Sequence, residues 1–398
     1  NRCCEMASTE DTRKPLSSHS MRVDLRELQR RQTNIDYERP REIGYSSSEA
    51  EGGVCRMNKS CLAKLCIPQL PCDLNAFLDE WIQRQEAAKK PAPDPFQPIP
   101  GAPLEHIFAM HAHFCEDGDV YDSHLITYRN NINKIMGTPY NDRFPWILAV
   151  YRRHGCLIMD VRINEETEKN PIPHEINYRG HRFEHCVTGG DLSKPCGGKE
   201  NYNTLVSSAL AEYDDDRRIG AYNILFSSEI DCIDDKGEYV ELKVTPRIDN
   251  GRARQNFERK LLKYWIQSYM PGVPKILCGF RDDRGTLQAV ETFDTLQIPV
   301  IVNSNKRTPL WEPEVCLRFL YDVIAFLLDK LEDHNQGLLY YDAKRKEVVL
   351  DLYTSTALPD CIDFPPHHPR KRARIGGGDQ APGRSTEEEG KEGPGDPS

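Results

Sequence analysis

The stretch "SSEIDCIDDKGEYVELKV", Ser227 to Val244, collects Glu229, Asp231, Glu241 and Lys243 among residues as apolar as Ile230 and Leu242. Side chains alternate across a β-strand, so Glu229 and Asp231 fall on one face, as do Glu241 and Lys243. Ile230, Cys232, Val240 and Leu242 take the other. Gly237 suits the left-handed position of a three-residue hairpin loop closed by Asp234 and Glu238. In that register Asp231 faces Glu241 and Glu229 faces Lys243, and the four charged groups lie side by side. Like charges opposite one another destabilise a sheet. A divalent cation turns that repulsion into attraction, and carboxylate oxygens suit Mg²⁺ or Mn²⁺ better than zinc. A lysine beside such a cation can steady charge on a phosphate or orient a water. The alternative is a solvated outer face carrying an incidental Glu–Lys pair.

Outward from the hairpin, the pattern is mixed. "ILFSSEIDCI", "EYVELKV", "KILCGFR", "LQAVETF", "LLYYDA", "EVVLDLY", "WILAVYR" and "CLIMDVRI" read as strands. "RQNFERKLLKYWIQSYM" reads as a helix with Phe257, Leu261, Trp265 and Ile266 on or near one face, stopped by "PGVP". "EPEVCLRFLYDVIAFLLDKLEDH" is a second amphipathic helix. Helical patterns are also expected after Leu104, over "SHLITYRNNINKIM" (Ser123 to Met136), and over "HEINYRGHRFEHCV". This order fits an α/β or α+β fold, with mixed sheets flanked by helices. Residues 1–35 are polar and expected to be disordered, and residues 36–365 to form the domain. "PAPDPFQPIPGAP" reads as an extended connection, and residues 366–398 as a disordered tail, first basic and then acidic.

The chain has 398 residues, 38% of them hydrophobic, with apolar runs concentrated between Leu104 and Leu358. A net charge of −10 argues against coating nucleic acid by bulk charge, though not against a local basic groove. No apolar run is long enough to span a membrane. The opening "NRCCEMASTEDTRKP" lacks the apolar stretch of a secretory signal. The 14 cysteines are therefore expected as reduced thiols; in the Cys55, Cys61, Cys66 and Cys72 cluster, only Cys61 and Cys66 approach zinc-site spacing.

Three features sharpen the reading of the hairpin. An acidic pair is followed by Glu-x-Lys on the next strand, a Trp-x-Gln helix runs into "PGVP" and then "GFR", and "GHRFE" lies upstream. With "YRNNINKIMGTPY" these ordered motifs resemble the decapping exoribonuclease family, within the PD-(D/E)xK nuclease superfamily. The resemblance covers roughly Arg129 to Phe293, with a weaker echo at "RPREIGYSS". It implies a PD-(D/E)xK-like core. It also implies that Glu184, Glu229, Asp231, Glu241 and the main-chain carbonyl of Leu242 hold metal, most simply two Mg²⁺ or Mn²⁺ ions. Lys243 and Gln267 then contact the scissile phosphate or orient the attacking water, which completes a catalytic set of Glu229, Asp231, Glu241, Lys243 and Gln267. Arg129, with Tyr128 and Asn130 beside it, and Ser207 correspond to substrate-lining positions. His181 departs from the ring the family carries in the "GHRFE" motif, whereas Glu184 is retained.

The activity implied is metal-dependent hydrolysis at RNA 5′ ends: decapping of incompletely capped or NAD-capped RNA, pyrophosphohydrolysis of 5′-triphosphates, and 5′-to-3′ exonucleolytic digestion. A 5′-to-3′ exoribonuclease is the protein partner the family suggests, and "HHPRKRARIGGG" reads as a nuclear-localisation signal or an RNA-contacting arm. A second reading is a binding protein or partner scaffold that holds RNA ends with little catalysis. The complete set Glu184, Glu229, Asp231, Glu241, Lys243 and Gln267 favours the enzyme. A DNA endonuclease of the wider superfamily would leave the Trp-x-Gln helix and "PGVP" without a role.

Overall fold

Successive apolar side chains in the central strands belong to different cores. Leu148 and Val150 enter one, Ala149 the other; Leu157 and Met159 enter the first, Ile158 the second; Ile224 and Phe226 flank Leu225 in the same way. A strand with both faces buried in this manner must lie inside a sheet covered on both sides. The computed structural model describes residues 13–49, 55–87, 96, 104–116, 118–162, 171–197, 200–358, 362 and 364–367.

In chain order the strands begin with β1 (Ser17–Arg22), β2 (Asn34–Tyr37), β3 (Arg41–Ser48), β4 (Cys55–Arg56) and β5 (Cys72–Asp73). The central strands are β6 (Leu125–Tyr128), β7 (Trp146–Arg153), β8 (Cys156–Val161), β9 (Asn201–Asp214), β10 (Arg217–Ile230) and β11 (Cys232–Ile233). The last are β12 (Tyr239–Pro246), β13 (Lys275–Arg281), β14 (Thr286–Asp294), β15 (Gln336–Asp342) and β16 (Glu347–Tyr353). The large sheet runs β1-β16-β15-β7-β8-β6-β10-β9-β3-β4, with β2 also pairing on β9; the small one runs β11-β12-β13-β14-β5.

The helices are α1 (Leu25–Arg30), α2 (Leu78–Ala87), α3 (Glu105–Phe114), α4 (Arg129–Gly137), α5 (His174–Val187), α6 (Gly251–Tyr269), α7 (Ile298–Asn303) and α8 (Pro313–Lys330). Helices α4, α6 and α8 fill the main core between the two sheets, where Ile132, Trp265 and Leu320 meet Phe226 on one side and Ile276 on the other. Helix α3 covers the opposite face of the large sheet through Ile107 and Met110. Helix α5 covers the outer face of the small sheet, Phe183 and Val187 lying against Val240, Leu242 and Leu277. Asn250 caps α6 by accepting from the amide of Ala253, and Gly272 at φ +76° turns the chain after it.

Two expectations need correction. Residues 1–35 are not uniformly disordered: Ser17–Arg22 forms β1, antiparallel to β16, and α1 and the start of β2 follow. Its side chains alternate between half-buried and exposed, so backbone pairing, not an apolar pattern, holds this edge strand. The expected helix over Ser123–Met136 is a strand and a helix. Leu125 and Ile126 point into different cores as β6 pairs in parallel with β10 and β8, and α4 begins only at Arg129. The connection before Leu104 lies outside the described residues apart from Phe96, and His368–Ser398 lies outside them entirely.

Gly279 of the "GFR" motif sits on β13 under α5, and a Cβ there would lie 2.5 Å from the Phe183 ring and 2.7 Å from Leu287. This close approach fixes the depth of α5. Gly279→Val should cost about 1–3 kcal/mol of stability through overpacking, read as a lower urea midpoint with an unchanged m-value; an unchanged midpoint would refute the packing role.

Candidate active site

The hairpin forms in the expected register. The amide of Asp234 donates to Glu238 O at 2.9 Å, Gly237 takes φ +81°, and Cys232 pairs with Val240. The expected facing of Glu229 and Lys243 does not occur. The ladder to β12 stops at Cys232, while Glu229 belongs to β10 and pairs with Asn203 of β9 in the large sheet. The segment thus changes sheets at Asp231, because β9 holds one half and β12 the other. Cys232, Val240 and Leu242 do share the apolar face, packed under α5.

Glu241 is the floor of the site, 1% exposed. Arg129, the first residue of α4, donates from Nη1 to Glu241 Oε2 at 2.9 Å and to the Gln267 carbonyl at 3.2 Å. Gln267 on α6 donates from Nε2 to Glu241 Oε1 at 2.5 Å. The Lys243 ammonium also donates to Glu241 Oε1, and to Leu242 O at 3.1 Å. Burial opposes the charged form of Glu241, yet Lys243 and then Arg129 outweigh it and hold the carboxyl below its ordinary value. For Lys243, burial is outweighed by Glu241 and Asp231, so its pKa rises.

Asp231 has the opposite balance. Its Oδ2 accepts the Leu242 amide at 2.7 Å. Burial pushes its pKa well up, Glu241 pushes further, Lys243 opposes, and Glu184 and Glu229 add to the rise. These shifts place the carboxylates of α5, β10, the sheet crossover and β12 within one another's field. Glu184, Glu229, Asp231, Lys243 and Gln267 are each half-buried, so the cluster opens to solvent above a buried floor.

Of the remaining expected residues, Tyr128 ends β6 beside Ser227, on the sheet face that carries Glu229 two residues further on. Asn130 is exposed and lines a cavity of about 1150 Å³ between α4 and α6. Ser207 pairs with Leu225, four residues before Glu229, which places it about 13 Å along the strand from the carboxylates; the structure does not bring it to them. Tyr264, which the sequence reading missed, lies under the Lys243 ammonium at 5.8 Å from its ring centroid. Its signal was its place three residues before Gln267 on the same helix. Cys55, Cys61, Cys66 and Cys72 are free thiols.

Hard oxygen donors suit a divalent cation of the Mg²⁺ or Mn²⁺ kind. As the side chains stand, no three His, Cys, Asp or Glu groups among the described residues close around one point. Instead the Lys243 ammonium bridges Glu241 Oε1 and the Leu242 carbonyl, two of the proposed ligand atoms. A cationic group of the chain stands where the donor set calls for a cation, so the residues fit the group.

The model of RAI1-like PD-(D/E)XK nucleases matches residues 38–363. The decapping nuclease RAI1 of Neurospora crassa is 34% identical over 247 residues, 53% of this chain and 56% of that protein. The human decapping and exoribonuclease protein is 31% identical over 218 residues, 51% and 53% of the two chains. In these alignments the chain spans about half the length of the curated relatives. A solved Rai1 from Candida albicans superposes with TM-score 0.67 at 21% identity, covering 86% of this chain and 94% of that one. This likeness carries the fold.

The two electrostatic environments predict opposite effects. A carboxyl with a depressed value, Glu241, stabilises the fold above the unfolded-chain value of about 4.3 and loses that contribution as pH falls. A carboxyl with a raised value, Asp231, costs stability as pH rises through the unfolded value. Arg129→Met should therefore destabilise by about 3 kcal/mol at pH 7, because a buried carboxylate loses a partner. Asp231→Asn, measured in chelator, should stabilise by on the order of 1 kcal/mol, a rise of a few degrees in Tm. Melting curves of the two variants with and without EDTA decide this, and a lower Tm for Asp231→Asn would remove the account of like-charge crowding.

Proposed function

The chain belongs to the family of RAI1-like PD-(D/E)XK nucleases, and from that premise we propose that it hydrolyses RNA 5′ ends with the help of divalent metal. The observation that carries this reading is the Lys243 ammonium bridging Glu241 and the Leu242 carbonyl beside the crowded Asp231. Glu184, Glu229, Asp231, Glu241 and Leu242 O would hold Mg²⁺ or Mn²⁺. A pair of bound ions supplies Lewis-acid charge for both the attacking and the leaving oxygen of an in-line displacement.

The chain's own groups supply positioning and charge. Lys243 keeps its proton in this acidic setting, so it brings a full positive charge to the transferring phosphoryl group. Gln267, on a helix anchored in the main core by Leu261, Trp265 and Ile266, presents an amide that can orient a water. Arg129 presents its guanidinium to phosphate oxygens from the start of α4, with Tyr128 and Asn130 lining the approach. Asp231, Glu229 and Glu241 are the carboxylates on which catalysis depends. Ser207, set back along β9, joins this group only as a wall of a longer substrate channel.

Relatives support the substrate class. The similar protein from Neurospora crassa is named a decapping nuclease, and the human one a decapping and exoribonuclease protein. The Candida albicans Rai1 was crystallised with pU5 and Mn²⁺, and that of Scheffersomyces stipitis with (3′-NADP)⁺ and calcium. The substrates proposed here are RNA with a 5′-triphosphate, an incomplete cap or an NAD cap, processed in the nucleus as part of 5′-end quality control and alongside a 5′-to-3′ exoribonuclease. No helix among the described residues is long and apolar enough to cross a membrane.

The test uses RNAs labelled at the 5′ end and carrying triphosphate, unmethylated cap, methylated cap, NAD cap or monophosphate, each with Mg²⁺ or Mn²⁺. Metal-dependent release should occur from some of these and fall at least about a hundredfold in Asp231→Ala, more than the loss expected for an outer-shell residue. Equal rates in the variant, or release in EDTA, would sink the proposal.

A further inference from the structure

One segment straps α5, the helix that carries Glu184, to the small sheet. Cys72 and Asp73 form β5, which pairs with Leu287 and Thr286 of β14 at the sheet's edge. Beyond it the Leu74 amide donates to Gly285 O at 3.0 Å, and the side-chain amide of Asn75 donates to Arg284 O. The same residues meet the helix: Arg179 Nε donates to Asn75 Oδ1 at 2.8 Å, and the Tyr178 hydroxyl donates to Ala76 O. At the other end of the segment the sulfurs of Cys72 and Cys186 stand 3.3 Å apart. From Cys186 back to Tyr178 is about 12 Å of helix, and from Cys72 to Ala76 is about 13 Å of extended chain. The strap therefore lies along α5 for two turns, and Glu184 falls between its attachments.

Neither thiol takes part in the chemistry proposed above, and both are buried, Cys72 at 8% and Cys186 at 2% exposure. Their sulfurs need to approach by only about 1.3 Å to reach the bonding distance near 2.05 Å. The two sides do not yield equally. Helix α5 is pinned by Phe183 against Gly279, whereas β5 is a two-residue strand at an edge. The strap moves, and Glu184 keeps its place. A short edge strand also opens readily, which lets water and a small oxidant reach thiols that packing otherwise shields.

We propose that Cys72 and Cys186 are an oxidisable pair, which hydrogen peroxide converts into a disulfide that fastens the strap to the helix bearing Glu184. One thiolate attacks a peroxide oxygen, the O–O bond breaks, and the sulfur becomes a sulfenic acid while hydroxide leaves and takes up a proton as the first water. The second thiolate attacks that sulfur, the S–S bond forms and the S–O bond breaks, and the oxygen leaves as the second water. Two thiols give up two electrons and the peroxide takes them. Cys72 and Cys186 are 114 positions apart, so the bond removes much of the freedom of the unfolded chain. A dithiol reductant reverses it. The chemistry of the pair is independent of the RNA reading, which supplies only what the clamp protects, a carboxylate assigned to metal.

The experiment treats the full chain with hydrogen peroxide and digests it without reduction, beside Cys72→Ala and Cys186→Ala. A peptide pair joined through Cys72 and Cys186 is expected from the unsubstituted protein alone. Each protein serves as its own reference for stability. Oxidation should raise the Tm of the unsubstituted chain by about 3 °C or more, reversibly with dithiothreitol, and leave both variants where they were. Hydrogen exchange at the Leu74 amide should slow in the same sample. Release from 5′-labelled RNA at room temperature should be equal before and after oxidation. Absence of the joined peptides overturns the proposal, as does a bond from Cys186 to Cys196, the half-buried thiol that Arg182 Nη1 approaches at 4.0 Å. Joined peptides with an unchanged or lower Tm overturn the clamp. So does release that oxidation abolishes in the unsubstituted chain and not in Cys72→Ala, because Glu184 would then have moved. If the untreated protein cleaves no RNA the hydrolase reading fails, and the joined peptides and the Tm still decide this one.

Discussion

Everything at the site depends on one segment serving two sheets. Up to Ser227 the chain is held by both β6 and β9 of the large sheet, and up to Ile230 by β9 alone; from Cys232 it is held by β12 of the small one. Asp231 is the single residue between, its side chain caught by the amide of Leu242. At such a fork strands splay apart, and the gap between them admits side chains from both sheets and from the helices that cap them. Glu184 enters from α5, Glu229 from β10, Glu241 and Lys243 from β12, and Arg129 and Gln267 from the helices in the core. A register slip of one residue on β12 would exchange Glu241 for Leu242 and collapse the arrangement.

The fork is stable because neutralisation is local and incomplete. Glu241 alone receives a lysine, an arginine and an amide, which suffices to keep a fully buried carboxylate charged. Asp231 is left with one amide and the field of Lys243, which burial and several like-charged neighbours outweigh. Such a site is held together by the packing around it, by Phe183 over Gly279 on one side and Trp265 and Ile266 on the other, and it stores an electrostatic cost that function can draw on.

Much of this was legible in the amino-acid order, for identifiable reasons. The turn at Asp234–Glu238 set the register of the hairpin because Gly237 leaves few alternatives, and the burial of Cys232, Val240 and Leu242 follows from alternation. The helices that carry Trp265 and Leu320 announced themselves by periodicity. What could not be read is the change of sheet at Asp231: the strand pattern continues through it, and only the partners, distant in sequence, divide it. The helix expected from Ser123 failed for the same reason, since Leu125 and Ile126 suit a helix or a doubly buried strand equally, and β8 and β10 decide. At Ser17–Arg22 the one apolar residue is Met21, too little to make a pattern, and the backbone of β16 supplies the pairing. The motif residues Arg129, Glu184 and Gln267 were reached only through the family resemblance of the motifs that contain them, since each alone reads as a surface polar residue, whereas Tyr264 was passed over because a tyrosine in a helix reads as core.

The contact between Lys243 and the pair Glu241–Leu242 has a consequence for the order of events. If a cation binds at Glu241 and Leu242 O, it does not fill a vacancy; it exchanges with an internal counter-ion. Part of its intrinsic affinity is spent on evicting the ammonium, so loading is an ion-exchange equilibrium whose position depends on how well the released lysine is received elsewhere. The best recipient is a phosphate oxygen. Substrate and metal would then raise each other's occupancy through the swing of one side chain, and binding linkage requires the effect to be equal in both directions.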